Sequence, residues 1–196
     1  MDQAGQRPLT EVARLTPIER PRSLVLRLAY WLSRRRFGRV ISPLKVIYAR
    51  KTELIPLTAY IDWMREKKLA VDPAVRMLVT TRVSQLNGCA FCHDLNLARA
   101  VQEQIGYARF LGLDRWPESE AFNERERAAL ALADEVTRNH DLSESTFQLC
   151  RQHSSDEEIV ELIWLVAVEN YFNMQARSLR IGSDGLFRRT AEAHGP

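Results

Sequence analysis

Two of the chain's three cysteines, Cys89 and Cys92, lie three residues apart in the run LNGCAFCHD. On a helix, side chains at positions i and i+3 share one face, so the two sulfurs lie close enough to alternate between a dithiol and a disulfide. A cysteine in the first turn of a helix also faces the positive end of the helix dipole, which favours the nucleophilic thiolate. The Asn87-Gly88 turn signal directly precedes the motif and indicates such a helix start. The motif therefore predicts thiol redox chemistry.

The same residues also resemble two other kinds of site. Cys89, Cys92 and His93 have the spacing of a c-type haem attachment motif, and they match three ligands of a zinc site. Haem attachment requires export, and the N-terminal residues show no signal peptide. A structural zinc site requires a second ligand pair, which does not follow at the usual spacing. We therefore expect neither a metal nor an organic cofactor.

The composition indicates one domain in a reducing compartment. With 196 residues, 45% of them hydrophobic, the chain can bury one substantial core. Three cysteines are too few for the disulfide framework of a secreted protein. Residues 1–8 lack the apolar segment of a signal peptide, and no run of about 18 uncharged apolar residues predicts a membrane span. These features predict a cytoplasmic protein.

Charge is distributed unevenly along the chain. Residues 1–51 contain 12 Lys and Arg against 3 Asp and Glu, a net charge of +9, whereas residues 52–196 carry −6. The segment Ser23–Phe37 combines arginines with an apolar stripe that includes Trp31, which predicts a basic amphipathic helix. Contact with a membrane surface is one use of such a helix. We favour packing or oligomerisation, since the apolar stripe needs burial, and we expect no nucleic-acid partner.

The spacing of apolar residues predicts an all-α protein. No run of alternating residues indicates a strand. Two capping boxes, Asn123 with Glu126 and Ser155 with Glu158, mark helix starts. The predicted helices cover approximately residues 23–37, 43–50, 53–67, 73–86, 89–104, 105–113, 123–138 and 143–153. An apolar helix from 155 to about 168 follows, and a last helical stretch leads past 177.

Residues 43–179 resemble the carboxymuconolactone decarboxylase and alkylhydroperoxidase D-like superfamily. Three ordered blocks carry the resemblance: Arg82–Cys92, Asn123–Glu135, and Ser155–Leu162 followed by Asn170–Asn173. The resemblance implies an alkylhydroperoxidase D-like helical domain over residues 42–181, preceded by a basic arm at 1–41 and followed by a polar tail at 182–196. It also implies assembly into trimers, or into hexamers built from them.

The resemblance further implies a thiol-dependent peroxidase. In that family the second cysteine, here Cys92, attacks the peroxide, and the first, here Cys89, resolves the sulfenic acid as a disulfide that a dithiol partner then reduces. The family's proton relay uses a Glu twelve residues before the first cysteine and a His four residues after the second. Those positions are Met77 and Asn96 here, and neither a thioether nor an amide shuttles protons at neutral pH.

Two other residues are candidates for the missing relay. His93 follows Cys92 directly and lies at i+4 from Cys89, so on a helix it faces Cys89, with Asp94 available to orient its ring. Glu169 lies inside an apolar helix, where a carboxylate is costly unless it is paired. It either replaces the relay acid or pairs with an arginine, and the sequence leaves both uses open.

Two alternative functions also stay open. Without the usual relay, the chain is a candidate for a weakly active redox sensor or interaction protein that uses its basic arm. Carboxymuconolactone decarboxylase-like lyase chemistry is the other alternative, with Arg177 and Arg180 as candidate ligands of an acidic substrate. The third cysteine, Cys150, lies on an apolar helix face and is predicted to be a buried packing residue.

Overall fold

The computed structural model describes residues 12–194, and every regular element within them is a helix. The prediction of an all-α fold is therefore confirmed. The eight α-helices are α1 Leu24–Phe37, α2 Leu54–Lys67, α3 Pro73–Leu86, α4 Ala90–Gln102, α5 Glu124–Asn139, α6 Glu144–Arg151, α7 Asp156–Ser178 and α8 Leu186–His194. A π-helical turn at Leu44–Tyr48 and a 3₁₀ segment at Tyr107–Glu118 complete the set.

Local sequence signals explain where the helices start. Asp72 accepts a hydrogen bond from the backbone N–H of Ala74 at 2.8 Å, and Pro73 occupies the first turn of α3. The two predicted capping boxes are formed at the starts of α5 and α7. Each satisfies two backbone N–H groups that would otherwise lack partners.

The centre of the fold is α3, which packs against α4, α5 and α7. Val79 and Val83 are fully buried in a core that α5, α6 and α7 share with it. Arg82 fixes the direction of α3 against α5, since Nε and Nη2 donate to the two carboxylate oxygens of Asp134 at 2.5 and 2.7 Å. Such a bidentate pair sets geometry as well as charge.

Within the segment predicted as a basic arm, residues 12–41 pack on the rest of the chain, and residues 1–11 lie outside the described residues. Leu26 and Tyr30 of α1 are buried in a cluster with Tyr48 of the π-helical turn. Arg36 of α1 also pairs with Glu66 of α2 at 2.6 Å. The proposed domain boundary at residue 41 stays a prediction, but α1 borders the same cavity as the helices that follow it.

Residues 182–196, predicted as a polar tail, include α8, which lies against α4. The carboxylate of Asp94 accepts hydrogen bonds from the backbone N–H groups of Leu186 and Phe187, each at 2.9 Å. Leu186 is 1% exposed. Asp94 of α4 therefore caps α8, and the buried Leu186 holds this mostly polar segment against the rest of the fold.

Among the described residues, no helix has the length and apolar character that crossing a membrane requires.

Candidate active site

The cysteine pair lies where α4 begins. Cys89 is the N-cap of α4, and its Sγ accepts a hydrogen bond from the backbone N–H of Cys92 at 3.3 Å. Gly88 forms the preceding turn with a φ of 60°, a left-handed conformation that glycine adopts readily. Both cysteines are free thiols. The predicted i, i+3 arrangement at a helix start is thus present, with the positive end of the helix directed at Cys89.

A cavity of about 270 Å³ lies beside the pair. Cys92 lines it, whereas Cys89 lies behind Cys92 and is 1% exposed. Its walls are largely apolar and come from α1, the π-helical turn, α2, α4 and α7. Representative apolar wall residues are Leu32, Phe37, Ile47, Ile55, Leu95 and Phe172. Apolar cavities of this kind with a few convergent polar groups are typical small-molecule sites.

Glu169 of α7 supplies the centre of the cavity's polar end. Its side chain is buried, and Oε1 accepts three hydrogen bonds: from Ser84 Oγ at 2.8 Å, Asn96 Nδ2 at 3.3 Å and Asn173 Nδ2 at 2.9 Å. Its Oε2 lies 3.6 Å from Nη1 of Arg65. Because the three donors and the Arg65 cation come from α2, α3, α4 and α7, the carboxylate joins four helices at one point.

Asn96 occupies the position at which the resembling family has its relay histidine, and here it reaches the carboxylate of Glu169. Met77, at the family's glutamate position, is instead buried in an apolar cluster with Leu78 and Phe110. The two uses that the sequence left open for Glu169 are both compatible with this arrangement, since the carboxylate pairs with an arginine and also contacts the relay position.

Four charged side chains line this end of the cavity in two pairs. Arg99 donates to Asp62 at 3.1 Å, and Arg65 faces Glu169. Burial raises the pKa of Asp62, but the charges of Arg99 and Arg65 outweigh it, so that the pKa lies below its usual value. Burial and the charge of Arg99 lower the pKa of Arg65, against the opposing influence of Glu169 and Asp62. Two cations and two anions therefore share this end of the cavity.

The pKa of the Cys92 thiol is raised well above its ordinary value. The hydrogen bond with Cys89 contributes most, followed by burial and the negative charges of Cys89 and Glu169. The amide of Asn173 acts in the other direction by hydrogen bonding to the sulfur. Cys92 is therefore protonated in the resting site, and its reaction as a thiolate requires that its proton be removed.

Asn173 is held in a defined orientation. Its Oδ1 accepts from Nδ2 of Asn87 at 3.0 Å while its own Nδ2 donates to Glu169. Asn87 also donates to Oδ1 of Asn170 at 2.8 Å. The turn before Cys89 is thereby fastened to α7, and the Asn173 amide presents an N–H group toward Cys92.

His93 is placed away from this network. Its Nε2 lies 3.4 Å from Nε2 of Gln85, and burial lowers the pKa of His93 against the charge of Asp94. His93 is not among the residues that line the cavity. Within the described residues, Asp94 accepts hydrogen bonds from Ser183 and from the start of α8 rather than from the imidazole. The structure thus brings Cys89 and Cys92 together and places the half-buried His93 beside Gln85, outside the cavity lining.

Sequence reasoning missed three contributors, namely Arg65, Ser84 and Asn173. The quoted blocks contain Ser84 and Asn173, but nothing in their spacing shows that both converge on Glu169. Arg177 and Arg180 do not line the cavity. Among the described residues, no cluster of three or more His, Cys, Asp or Glu side chains is arranged to hold a metal ion.

Comparison with known proteins places this geometry in context. Residues 57–135 match the model of the carboxymuconolactone decarboxylase family. The chain is 26% identical to the uncharacterised protein YnjA of Escherichia coli over 166 residues, which is 84% of this chain and 91% of YnjA.

Solved structures share the fold. A protein of unknown function from Agrobacterium tumefaciens, described as a candidate antioxidant defence protein AhpD, is 26% identical, with a TM-score of 0.65 over 70% of this chain and 96% of that one. A peroxidase-related protein from Silicibacter is 20% identical and has a TM-score of 0.78 over 93% of this chain and 98% of that one. The second likeness includes the N-terminal helices and shows the fold alone.

Proposed function

We propose that the chain, which belongs to the carboxymuconolactone decarboxylase and alkylhydroperoxidase D-like superfamily, is a thiol-dependent hydroperoxide reductase with an antioxidant role. The observation that carries the proposal is the placement of the two sulfurs. Cys92 borders an apolar cavity, and Cys89 lies behind it at a position from which it can form a disulfide. The sulfur of Cys92 is thus available to a substrate, and the sulfur of Cys89 is available to react with Cys92.

The proposed reaction has two steps. The thiolate of Cys92 attacks the terminal oxygen of ROOH, which forms an S–O bond, breaks the O–O bond and yields ROH after protonation of the leaving oxygen. The thiolate of Cys89 then attacks the sulfenic acid sulfur, forms the disulfide and releases water. Sulfur loses two electrons in the first step, and an external dithiol restores both thiols. No metal or organic cofactor takes part.

The polar network supports the first step. The Asn173 N–H stabilises negative charge on the sulfur of Cys92. The side chain of Cys89 is also hydrogen bonded to that of Cys92. The thiolate of Cys92 is the proposed reactive form.

A stopped-flow experiment with an organic hydroperoxide tests the proposal. Wild type is expected to lose thiol groups much faster than a free thiol does, and Cys92→Ser to lose this reactivity. Cys89→Ser is expected to stop at a sulfenic acid that dimedone traps on Cys92. The matched control is Cys150→Ser, which removes a buried thiol from outside the cavity. Retained activity in Cys92→Ser, or a wild-type rate no better than that of a free thiol, would contradict the proposal.

The raised pKa of Cys92 favours a second candidate, a slow redox switch that senses oxidants rather than removing them. Such a switch also oxidises to the Cys89–Cys92 disulfide, but its rate at neutral pH is limited by the small thiolate fraction. The stopped-flow rate separates the two candidates. A slow, complete and reversible oxidation supports the switch, and fast turnover with a dithiol reductant supports the reductase.

The chain is also proposed to act as a homo-oligomer in a reducing cytoplasm. Exposed apolar side chains on α1 and α2 support an oligomer, and they include Leu24, Leu28, Trp31, Tyr60 and Trp63. Because α1 also carries arginines, contact with a membrane surface is the alternative use of this face. Light scattering after gel filtration tests the assembly, for which a trimer or hexamer is expected. Co-sedimentation with anionic vesicles tests the alternative.

A further inference from the structure

Arg65 lies at the polar end of the cavity with its donors unused. Its side chain is 6% exposed, and within residues 12–194 the guanidinium makes one ion contact, to Oε2 of Glu169 at 3.6 Å, and no hydrogen bond. A guanidinium carries five N–H donors in a fixed planar arrangement. Because Arg65 lines the cavity, these donors are available to a group that enters it.

Other buried arginines of the fold differ from Arg65 in this respect. Arg82 makes two hydrogen bonds to Asp134 and one to the carbonyl oxygen of Leu113 at 3.1 Å. Arg99 donates to Asp62. The guanidinium of Arg82 is thus held by protein acceptors. Arg99 is held through Nη2, and its Nε has no hydrogen-bond partner among the described residues. Among the same residues, the guanidinium of Arg65 makes no hydrogen bond and lies at the cavity wall.

Arg65 and Cys92 line the same cavity from different helices. Glu169 connects them, because it faces Arg65 directly and is hydrogen bonded to Asn173, which in turn stabilises the Cys92 sulfur. Three of the hydrogen bonds to Glu169 fall on Oε1, which leaves its Oε2 to balance the charge of Arg65 without occupying the guanidinium edge. A small ligand in contact with Cys92 therefore lies in a space that this cation also faces.

We propose that Arg65 is a catalytic residue that donates a hydrogen bond to the leaving oxygen of the hydroperoxide, an inference that rests on the proposed function. When the Cys92 thiolate bonds to the terminal oxygen, the electron pair of the O–O bond moves to the inner oxygen, which becomes RO⁻. The guanidinium stabilises that negative charge until a proton equivalent to the one lost by the thiol converts RO⁻ to the alcohol. Preorganised donors aimed at developing charge are effective because they need no reorientation during the reaction.

The test compares reagents whose leaving groups differ in their need for such a donor. Reduced wild type, Arg65→Gln and Arg65→Lys react in stopped flow with tert-butyl hydroperoxide, which releases a strongly basic alkoxide. The same proteins react with peracetic acid, which releases a weakly basic carboxylate, and with iodoacetamide, which alkylates Cys92 without any oxygen leaving group. Arg82→Lys is the control for the loss of a buried guanidinium away from the cavity.

Arg65→Gln is expected to slow the reaction with tert-butyl hydroperoxide about 100-fold, the size typical for loss of one oxyanion donor. Its reaction with peracetic acid should fall much less, and alkylation should stay close to the wild-type rate. Since the comparison is a ratio of rates within one variant, partial unfolding cancels, and Arg65→Lys serves if Arg65→Gln does not fold.

Equal slowing of all three reagents would overturn the inference, because Arg65 would then act only through the thiolate or the fold. An unchanged rate with tert-butyl hydroperoxide would overturn it as well. Failure of the proposed function gives a different result, since wild type itself would then react no faster than a free thiol with either peroxide.

Discussion

Cys92 and Cys150 are two buried free thiols in the same helical fold, but their surroundings differ in kind. Cys150 lies in the core between α3, α5 and α7, and its sulfur lies 3.5 Å from the carbonyl oxygen of Ala128. Burial, with a smaller contribution from the charge of Glu135, raises its pKa to about 11. Cys92 instead borders a cavity, and a second thiol, an oriented amide and a buried carboxylate act on its sulfur.

The comparison shows that burial alone does not separate a reactive thiol from an inert one. Burial disfavours the thiolate at both sites. What distinguishes Cys92 is space for a second reactant beside the sulfur and polar groups that respond to a change of charge. Cys150 has neither among its packing neighbours, which are apolar side chains of the core.

The largest expected difference is in chemical labelling. In the native, reduced protein, iodoacetamide should modify Cys92 at least about 10³-fold faster than Cys150, because reaction at Cys150 requires an opening of the core that costs several kcal/mol. Mass spectrometry of quenched samples gives both rates in one experiment. In denaturant the two rates should become similar. Comparable native rates would mean that the core around Cys150 opens readily, and the contrast between the two sites would fail.

Much of this contrast is predictable from the sequence. The spacing of Cys89 and Cys92 and the turn before them predict a pair at a helix start, and the structure confirms that position. The apolar face around Cys150 predicts a buried packing residue, and its burial is confirmed. Such predictions succeed because they depend on contacts within one helix or one turn.

The polar end of the cavity is not predictable in the same way. Arg65 and Glu169 are 104 positions apart, and they meet only because α2 and α7 both border the cavity next to Cys92. Local spacing carries no information about such a meeting. The sequence did provide one signal, a carboxylate inside an apolar helix, which requires a partner without naming it. The same limit explains why α8 was missed, since its cap comes from Asp94 on α4.

The next largest effect is expected from Glu169→Gln. The substitution leaves the buried Arg65 without its counter-ion, which should cost about 3 kcal/mol of unfolding free energy. Removing the negative charge should also lower the pKa of Cys92, because Glu169 raises it. Urea unfolding measures the first effect, and the pH dependence of iodoacetamide alkylation measures the second.

The matched control is Glu135→Gln near Cys150. Glu135 is bonded at the surface to the start of α6, so its loss should change stability little and leave the reaction of Cys92 unchanged. A pKa of Cys92 that stays fixed or rises in Glu169→Gln would show that orientation of Asn173 by the carboxylate outweighs the carboxylate's charge.

The smallest effect concerns Cys150 and the pH dependence of stability. A thiol whose folded pKa is about 11 stabilises the fold fully below its unfolded pKa of roughly 8.5, and this contribution is lost as the pH rises from there toward 11. Between pH 8 and pH 10.5 wild type should therefore lose about 2 kcal/mol more unfolding free energy than Cys150→Ala does.

Chemical denaturation of both proteins at the two pH values measures this difference, and the titration of other groups cancels because they are common to both. Cys92→Ala provides the comparison at the other site, where the sign is the same because the pKa is also raised. If Cys150→Ala loses as much stability as wild type, the Cys150 thiol ionises equally well in the folded and unfolded chains. Its environment would then resemble water, and the distinction between a sealed core and an open cavity would have to rest on Cys92 alone.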